Sequence, residues 1–424
     1  MLILIGMFCI LYNPPLLSIN SMHIVGAASW LYILMKHSTE QAMIKDICII
    51  RLFLGFVVIF FYSFLVVLAN STSYSYLAFP IYYIADVIPF GLSVAIYSRK
   101  RELTNKDFFT MVMFVGEVQA FCSVLAIFVP GIQRFFVDRL IDYGYMDIYQ
   151  YLSGFRLYGF AANMTFSMPI LQSILLLIAL NLSINGSPWY ILSGITLAFS
   201  AVINARVSLI VTLIGSALLL ISSKLTVKKK FKLLVIIILS SYIVVTLFIP
   251  ILINRFSDTF KWVFSGALEI NLFLRGQTNQ GYFSYITRKD NYPMPKGIGP
   301  MLFGKGHITM GMSSMYGVSS DIGYINDLWF GGIFYIAILY LFFMSIIWRL
   351  YRSKDHTASL LGLCLLFIYP ITNIKGIMFS MNSVSNLVIL SYIYVISAEK
   401  TKKEVCLREN GISKDIGNYT CLQC

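Results

Sequence analysis

Five arginines, Arg156, Arg206, Arg255, Arg275 and Arg288, lie between or at the edges of long apolar runs in this chain, with Lys305 and His307 following the last of them. A guanidinium presents a rigid fork that matches phosphate oxygens in pairs, and it keeps its charge in a low-dielectric setting. Such a set could hold a departing pyrophosphate, provided a carboxylate or imidazole took the proton of an attacking hydroxyl. Candidates for that second role stand in one stretch, Gly304–Gly332, reading GKGHITMGMSSMYGVSSDIGYINDLWFGG, which holds His307, Asp321 and Asp327. Arginines at a membrane edge also snorkel to headgroups without doing chemistry. A loop histidine can equally be bonded to backbone, so both roles stay open.

Ionisable residues inside apolar runs are costly and default to functional hypotheses. Asp86, Glu117, Arg206 and Asp327 are the cases here. Asp86 precedes Pro89, whose missing N–H frees a carbonyl in the same helix, so a polar pocket is expected there. Arg206 follows Asn204-Ala205 in a tight turn between two apolar runs. The alternative for each is a buried structural pair or a place near a helix end.

The elements that must position these groups are membrane helices. At 58% hydrophobic, 12% charged and mean hydropathy +0.78, a chain of 424 residues reads as all-α, a polytopic transmembrane helix bundle. Each span needs about 20 mostly apolar residues. Such runs stand near 2–19, 21–35, 47–69, 77–98, 108–130, 161–182, 187–204, 207–222, 233–253, 324–348, 358–373 and 377–397. That is about 12 spans, the first interrupted by Asn13-Pro14-Pro15. No small-residue cleavage site follows it, so a retained anchor is expected.

The net charge of +13 fits short basic loops that fix orientation. Nucleic acid is excluded as a partner, because no basic stretch carries groove-reading or base-stacking features. Lys36, Lys45 and Arg51, then Arg99, Lys100, Arg101 and Lys106, then Lys224, Lys228, Lys229, Lys230 and Lys232, then Arg349, Arg352 and Lys354 fall in one set of loops. These loops, both termini and the tail 399–424 are expected to be cytoplasmic. The alternate set holds little beyond Arg206 and Lys375, plus two long segments, 131–160 and 254–323, which cross regardless of charge. Residues 1–398 thus form the membrane domain, with a large outward-facing loop domain between spans 9 and 10.

In segment 131–160, Phe135, Phe136 and Leu140 share a helical face, which suits a helix lying in the interface. An aromatic belt with solvated charges explains most of it but not Arg156. Segment 254–323 carries Trp262, Phe264, Phe273, Tyr282, Phe283, Tyr285, Tyr292 and Phe303, enough apolar area for an ordered cap. None of the seven cysteines falls in an outward polar segment, so no disulfide framework follows. Cys421 and Cys424 lack the second pair that a zinc site needs.

Three stretches, FRLYGFAANMTF (155–166), SAVINARVSLI (200–210) and LFGKGHITMG with SSDIGYINDLWFGGIF (302–334), resemble the landmarks of Wzy-type O-antigen and capsular repeat-unit polymerases. The span number and the late outer loop are also similar. The resemblance implies a membrane glycosyltransferase that joins oligosaccharide repeat units carried on undecaprenyl pyrophosphate at the outer face of the bacterial cytoplasmic (inner) membrane. It implies inversion at the anomeric carbon, no nucleotide sugar, no metal and no other cofactor, with a flippase and a chain-length regulator as partners. By the same carry-over Arg156 and Arg206 meet the donor pyrophosphate, Arg275 or Arg288 assists, and Asp321 lies beside the acceptor. Arg255, Lys305, Glu117 and Asp86 complete the substrate-binding expectation, and His307 the catalytic one.

The family's spacing of arginine, ten residues and glycine is met by Arg288 with Gly299 and Arg255 with Gly266, but not by Arg156, since Ser167 stands there. The related O-antigen ligases carry a histidine where the late loop re-enters the membrane. Here Asp321 holds that place and His307 lies earlier, which favours polymerase over ligase. A flippase or transporter, the remaining alternative, should show repeated halves and broken helices at the bilayer midplane; no internal repeat is visible, and one dominant outer cap is unusual for that class.

Overall fold

The computed structural model describes residues 1–15, 20–36, 46–142, 159–162, 167–185, 187, 189–222, 226–243, 246, 272, 275–276, 289–309 and 320–409, and among them all regular structure is helical. The helices are α1 (Leu2–Tyr12), α2 (Ser21–Leu34), α3 (Ile47–Asn70), α4 (Tyr74–Lys100), α5 (Asn105–Phe128), α6 (Pro130–Asp142) and α7 (Ser167–Asn185). They continue as α8 (Trp189–Asn204), α9 (Arg206–Ile221), α10 (Val227–Ile243), α11 (Ile298–Phe303), α12 (Gly323–Tyr351), α13 (His356–Thr372) and α14 (Ser383–Glu409).

Five of these are long and apolar enough to cross a bilayer: Ile47–Asn70, Tyr74–Lys100, Asn105–Ala126, Ser167–Ile184 and Gly323–Tyr351. With five shorter apolar helices beside them, the chain is a multi-pass membrane protein. Several expected spans have different bounds. The run 2–19 ends as a helix at Tyr12, where Asn13 turns left-handed (φ 45) ahead of Pro14-Pro15. At 1.5 Å per residue α1 and α2 are about 16 and 21 Å long, short of a hydrocarbon core of about 30 Å. The run 377–397 is helical only from Ser383, because Asn382 closes a turn through its Nδ2 to the Met378 carbonyl (2.7 Å) and caps Val384 and Ser385. Most of the expected outer cap lies outside the described residues.

The bundle is built around α7, whose membrane-length window is entirely buried. It packs on α5, α8 and α9 with glycines at the contacts: the Gly215 Cα faces the Leu177 side chain, and Gly116 faces Leu175. Small residues let apolar helices approach closely where no hydrophobic force drives them together. Several polar side chains within the bundle find partners. Gln172 Nε2 donates to Tyr12 Oη (3.0 Å) and the Gly116 carbonyl (3.3 Å), and Ser173 Oγ to the Ser208 carbonyl (3.2 Å).

One end of the bundle gathers basic residues. There Glu399 accepts from Arg349 Nη2 (2.8 Å), Ser353 Oγ (2.6 Å) and the Lys354 amide (3.2 Å), fastening the α12–α13 turn to α14. Lys232 Nζ donates to the carbonyls of Ser183 and Ile184 (3.1 and 3.3 Å), capping the C-terminus of α7 with a positive charge. In helix α4 the turn before Pro89, Tyr83–Val87, widens to π geometry, relieving the clash of the proline ring with the preceding turn.

Candidate functional site

Helix α12 is two helices. Gly332 has φ 70 and ψ −170, which breaks the rod into a half-helix, Gly323–Gly331, and a long helix from Ile333 to Tyr351. A break leaves the last carbonyls of the half-helix without intrahelical donors, and each is supplied from elsewhere. The Lys305 amide donates to the Trp329 carbonyl (2.7 Å), the Gly306 amide to Phe330 (2.9 Å) and Tyr62 Oη to Gly331 (2.8 Å). At the other end the Gly323 amide donates to the Asn373 carbonyl (2.8 Å). Asn326 receives the Thr309 amide (2.8 Å) and donates to the Ser320 carbonyl (2.9 Å), while Trp329 Nε1 donates to the Pro293 carbonyl (2.7 Å). Residues 289–309 are thereby bound along the half-helix.

Asp327 shows how far the chain turns. It is buried, and its Oδ2 accepts from Tyr340 Oη at 2.5 Å, a residue thirteen positions later. In a straight helix their Cα atoms would lie about 20 Å apart, beyond the reach of the two side chains. The half-helix therefore folds back along the long one. Asn373 Nδ2 donates to the same Tyr340 oxygen (2.7 Å), and its Oδ1 accepts from the Met378 amide (2.8 Å). Tyr340 stacks on Phe379 at 3.9 Å between centroids.

Packing contacts place several helix ends at one height. Gly362 of α13 lies against the Tyr351 backbone at the basic end, and Cys364 Sγ meets the Gly215 carbonyl at 3.9 Å. Counting 1.5 Å per residue from there, α13 ends and α9 begins about 12 to 14 Å further up. Tyr340 stands at about the same height above Arg349, whereas Gly332 stands about 26 Å above it. The start of α9 at Arg206, the end of α13 at Asn373 and the start of the half-helix at Gly323 thus share a level roughly midway along the longer helices. Asp321 and Lys375 meet there, Nζ to Oδ2 at 3.5 Å, and their side chains are 47% and 35% exposed. In a membrane bundle, an ion pair at such a height is expected only where it faces a polar space rather than hydrocarbon.

The expected site residues divide. Asp321 is joined to Lys375. Lys305 lies over the Trp329 ring (5.2 Å to the centroid), with His307 partly exposed two residues on, so both belong to the segment that caps the half-helix. Arg206 opens α9 at the level of Asp321. Asp86, on the π turn of α4, pairs with His23 Nδ1 at 2.6 Å; the carboxylate is 4% exposed and the imidazole 58%. Glu117, partly exposed, accepts from Ser193 Oγ (2.8 Å), linking α5 to α8. Arg275 is exposed. Arg156, Arg255 and Arg288 lie outside the described residues.

Lys375, Asn373, Tyr340 and His23 were not singled out by sequence reasoning. A signal existed for the first two, since Lys375 is among the few cations in the sparsely charged set of short loops and Asn373 sits beside it. Nothing in the spacing links His23 to Asp86. Among the described residues no group of three or more His, Cys, Asp or Glu is placed to hold a metal ion. Compared with known proteins, the chain matches no family model, no curated protein and no solved structure.

Proposed function

We propose that this chain is a polysaccharide polymerase, a membrane glycosyltransferase that joins lipid-pyrophosphate-linked oligosaccharide repeat units of the O-antigen or capsular kind. What supports the reading is the half-exposed Asp321–Lys375 ion pair, with the start of α9 at Arg206 at about its level. A donor sugar bound through pyrophosphate to undecaprenol needs its lipid in the bilayer and its sugars in water. A polar recess partway down a membrane bundle suits that division.

In this reading the acceptor hydroxyl attacks the anomeric carbon of the donor and forms the new glycosidic bond. The bond from that carbon to the pyrophosphate oxygen breaks, the electron pair leaves with the pyrophosphate, and Asp321 takes the hydroxyl proton. Arg206 is assigned the charge that develops on the leaving group, where a fixed cation stabilises most. Lys375 keeps Asp321 oriented between turnovers. The recess opens away from the basic end, which by the distribution of Lys and Arg is the cytoplasmic one.

The test is the set of lipid-linked intermediates in a deletion strain. Loss of a polymerase leaves single repeat units capped on the lipid acceptor. Long polymer held on undecaprenyl carrier would instead identify a ligase, and units facing inward a flippase; either result overturns the proposal.

A further inference from the structure

The short helix α11 presents an apolar surface that is exposed among the described residues. Ile298 is 80% exposed and Phe303 55%, with Met294 and Met301 beside them. The surface continues without a step onto α12, where Ile333 and Phe334 are also exposed, and the rings of Phe303 and Phe334 join the two at 5.3 Å between centroids. Below them, on the same long helix, Leu341 is 73% exposed, as expected of a residue facing lipid on a spanning helix.

Height identifies what covers this face. Arg349, bound to Glu399, marks the basic boundary. The stretch from Ile333 to Arg349 rises about 26 Å, close to the thickness of a hydrocarbon core of about 30 Å. The level of Ile333 and of α11 is therefore the opposite boundary between acyl chains and headgroups. Lys296 is exposed just before α11, where cations meet anionic headgroups.

The helix cannot leave this position freely. The Gly304 and Gly332 Cα atoms each face the other segment's backbone, Gly304 against Phe330 and Gly331, and Gly332 against Leu302 and Phe303. We infer that α11 is an interfacial anchor whose apolar face, Ile298, Met301 and Phe303, is seated in the acyl-chain boundary of the bilayer leaflet opposite the basic end. Its C-terminal neighbours Lys305 and Gly306 carry the caps of the half-helix, so the leaflet itself braces the wall of the recess. This inference does not depend on the enzyme's reaction.

The experiment uses the full chain with its native cysteines replaced, in vesicles of phosphatidylethanolamine and phosphatidylglycerol. Single spin labels are placed through Ile298→Cys and Met301→Cys, with Leu341→Cys as the lipid reference and Lys354→Cys, in the exposed turn of the basic end, as the water reference. Power saturation should show both α11 labels colliding more with oxygen than with a water-soluble nickel chelate, as at position 341. If either label instead behaves as at position 354, the inference is overturned. All four positions are solvent- or lipid-facing, so the substitutions leave the packing intact.

Discussion

Replacing Gly332 by alanine tests the break in α12 most directly. Its φ of 70 with ψ of −170 lies in a region that is essentially glycine-only, and holding another residue there costs about 1–3 kcal/mol. The new Cβ would also meet the Leu302 carbonyl and, at 2.5 Å, the Phe303 nitrogen. These are backbone atoms and cannot rotate away, so α11 must shift. That shift draws Lys305 and Gly306 from the carbonyls of Trp329 and Phe330, and each buried group left unpaired costs about 1–3 kcal/mol. Together the local loss is at least about 3 kcal/mol, equivalent to on the order of 100-fold more frequent opening. Hydrogen exchange of peptides covering 298–309 and 320–331, in lipid nanodiscs, should accelerate by that order, with little change in α7. The control is Gly276→Ala, where φ is 75 but no atom lies within 4 Å of the new carbon, so that only the backbone cost applies. Exchange in 298–309 that stays within a few-fold of the native rate would refute both the break and its caps as described.

Asp321→Asn should abolish polymerisation, whereas Asp355→Asn should not, because the amide oxygen still caps Ala358 at the start of α13; equal polymer ladders from the two would remove Asp321 from the site. Arg206→Ala and Arg156→Ala should each abolish chain growth at normal membrane abundance, and wild-type chain lengths in either would end the pyrophosphate assignment. Tyr340→Phe deprives buried Asp327 and Asn373 of a shared partner and should cost about 1–3 kcal/mol, seen as a lowered thermal midpoint in detergent. For His23 and Asp86, His23→Ala should destabilise more than the ~0–1 kcal/mol of an exposed pair, since it strands a buried carboxylate. Adding Asp86→Asn should recover part of that loss, and simple additivity of the two would show that the pair is not coupled.

The all-helical membrane fold could be read from apolar run lengths alone, because a bilayer leaves the backbone few other ways to satisfy its hydrogen bonds. Run length says little about where a helix ends, however, when the residues beyond it are equally apolar. Ile377-Met378-Phe379 extended the last run on paper, yet they form a turn because Asn382 offers its side chain to the backbone at both ends. The same limit hid the break in α12. Gly331-Gly332 sits in a continuous apolar stretch, and a glycine pair tolerates a helix as well as it permits a turn. What decides is the tertiary supply of donors from Lys305, Gly306 and Tyr62, which no spacing rule reveals. Asp86 was more legible, since Pro89 marked a disturbed turn beside it, though its partner His23 comes from a distant part of the chain.

The folded-back half-helix also changes what an acidic residue in this stretch means. On one straight span, Asp327 would lie in the membrane and Asp321 six residues further out, so Asp327 would be the costly, function-bearing charge. With the chain reversed at Gly332, residues before the break lie deeper the further they are from it. Asp321 then falls below the boundary opposite the basic end, beside Lys375, half-exposed, while Asp327 is closed off by Tyr340. The buried carboxylate is the clasp that holds the half-helix down. The accessible carboxylate is the one a substrate could reach, and it reaches that depth only because the clasp is made. It follows that Tyr340→Phe, which loosens the clasp without touching the recess, should reduce polymer formation along with stability, whereas Glu117→Gln, which keeps a partner for Ser193, should leave polymer length unchanged. If Tyr340→Phe proves less stable but polymerises as well as the wild type, Asp321 does not depend on the half-helix for its position.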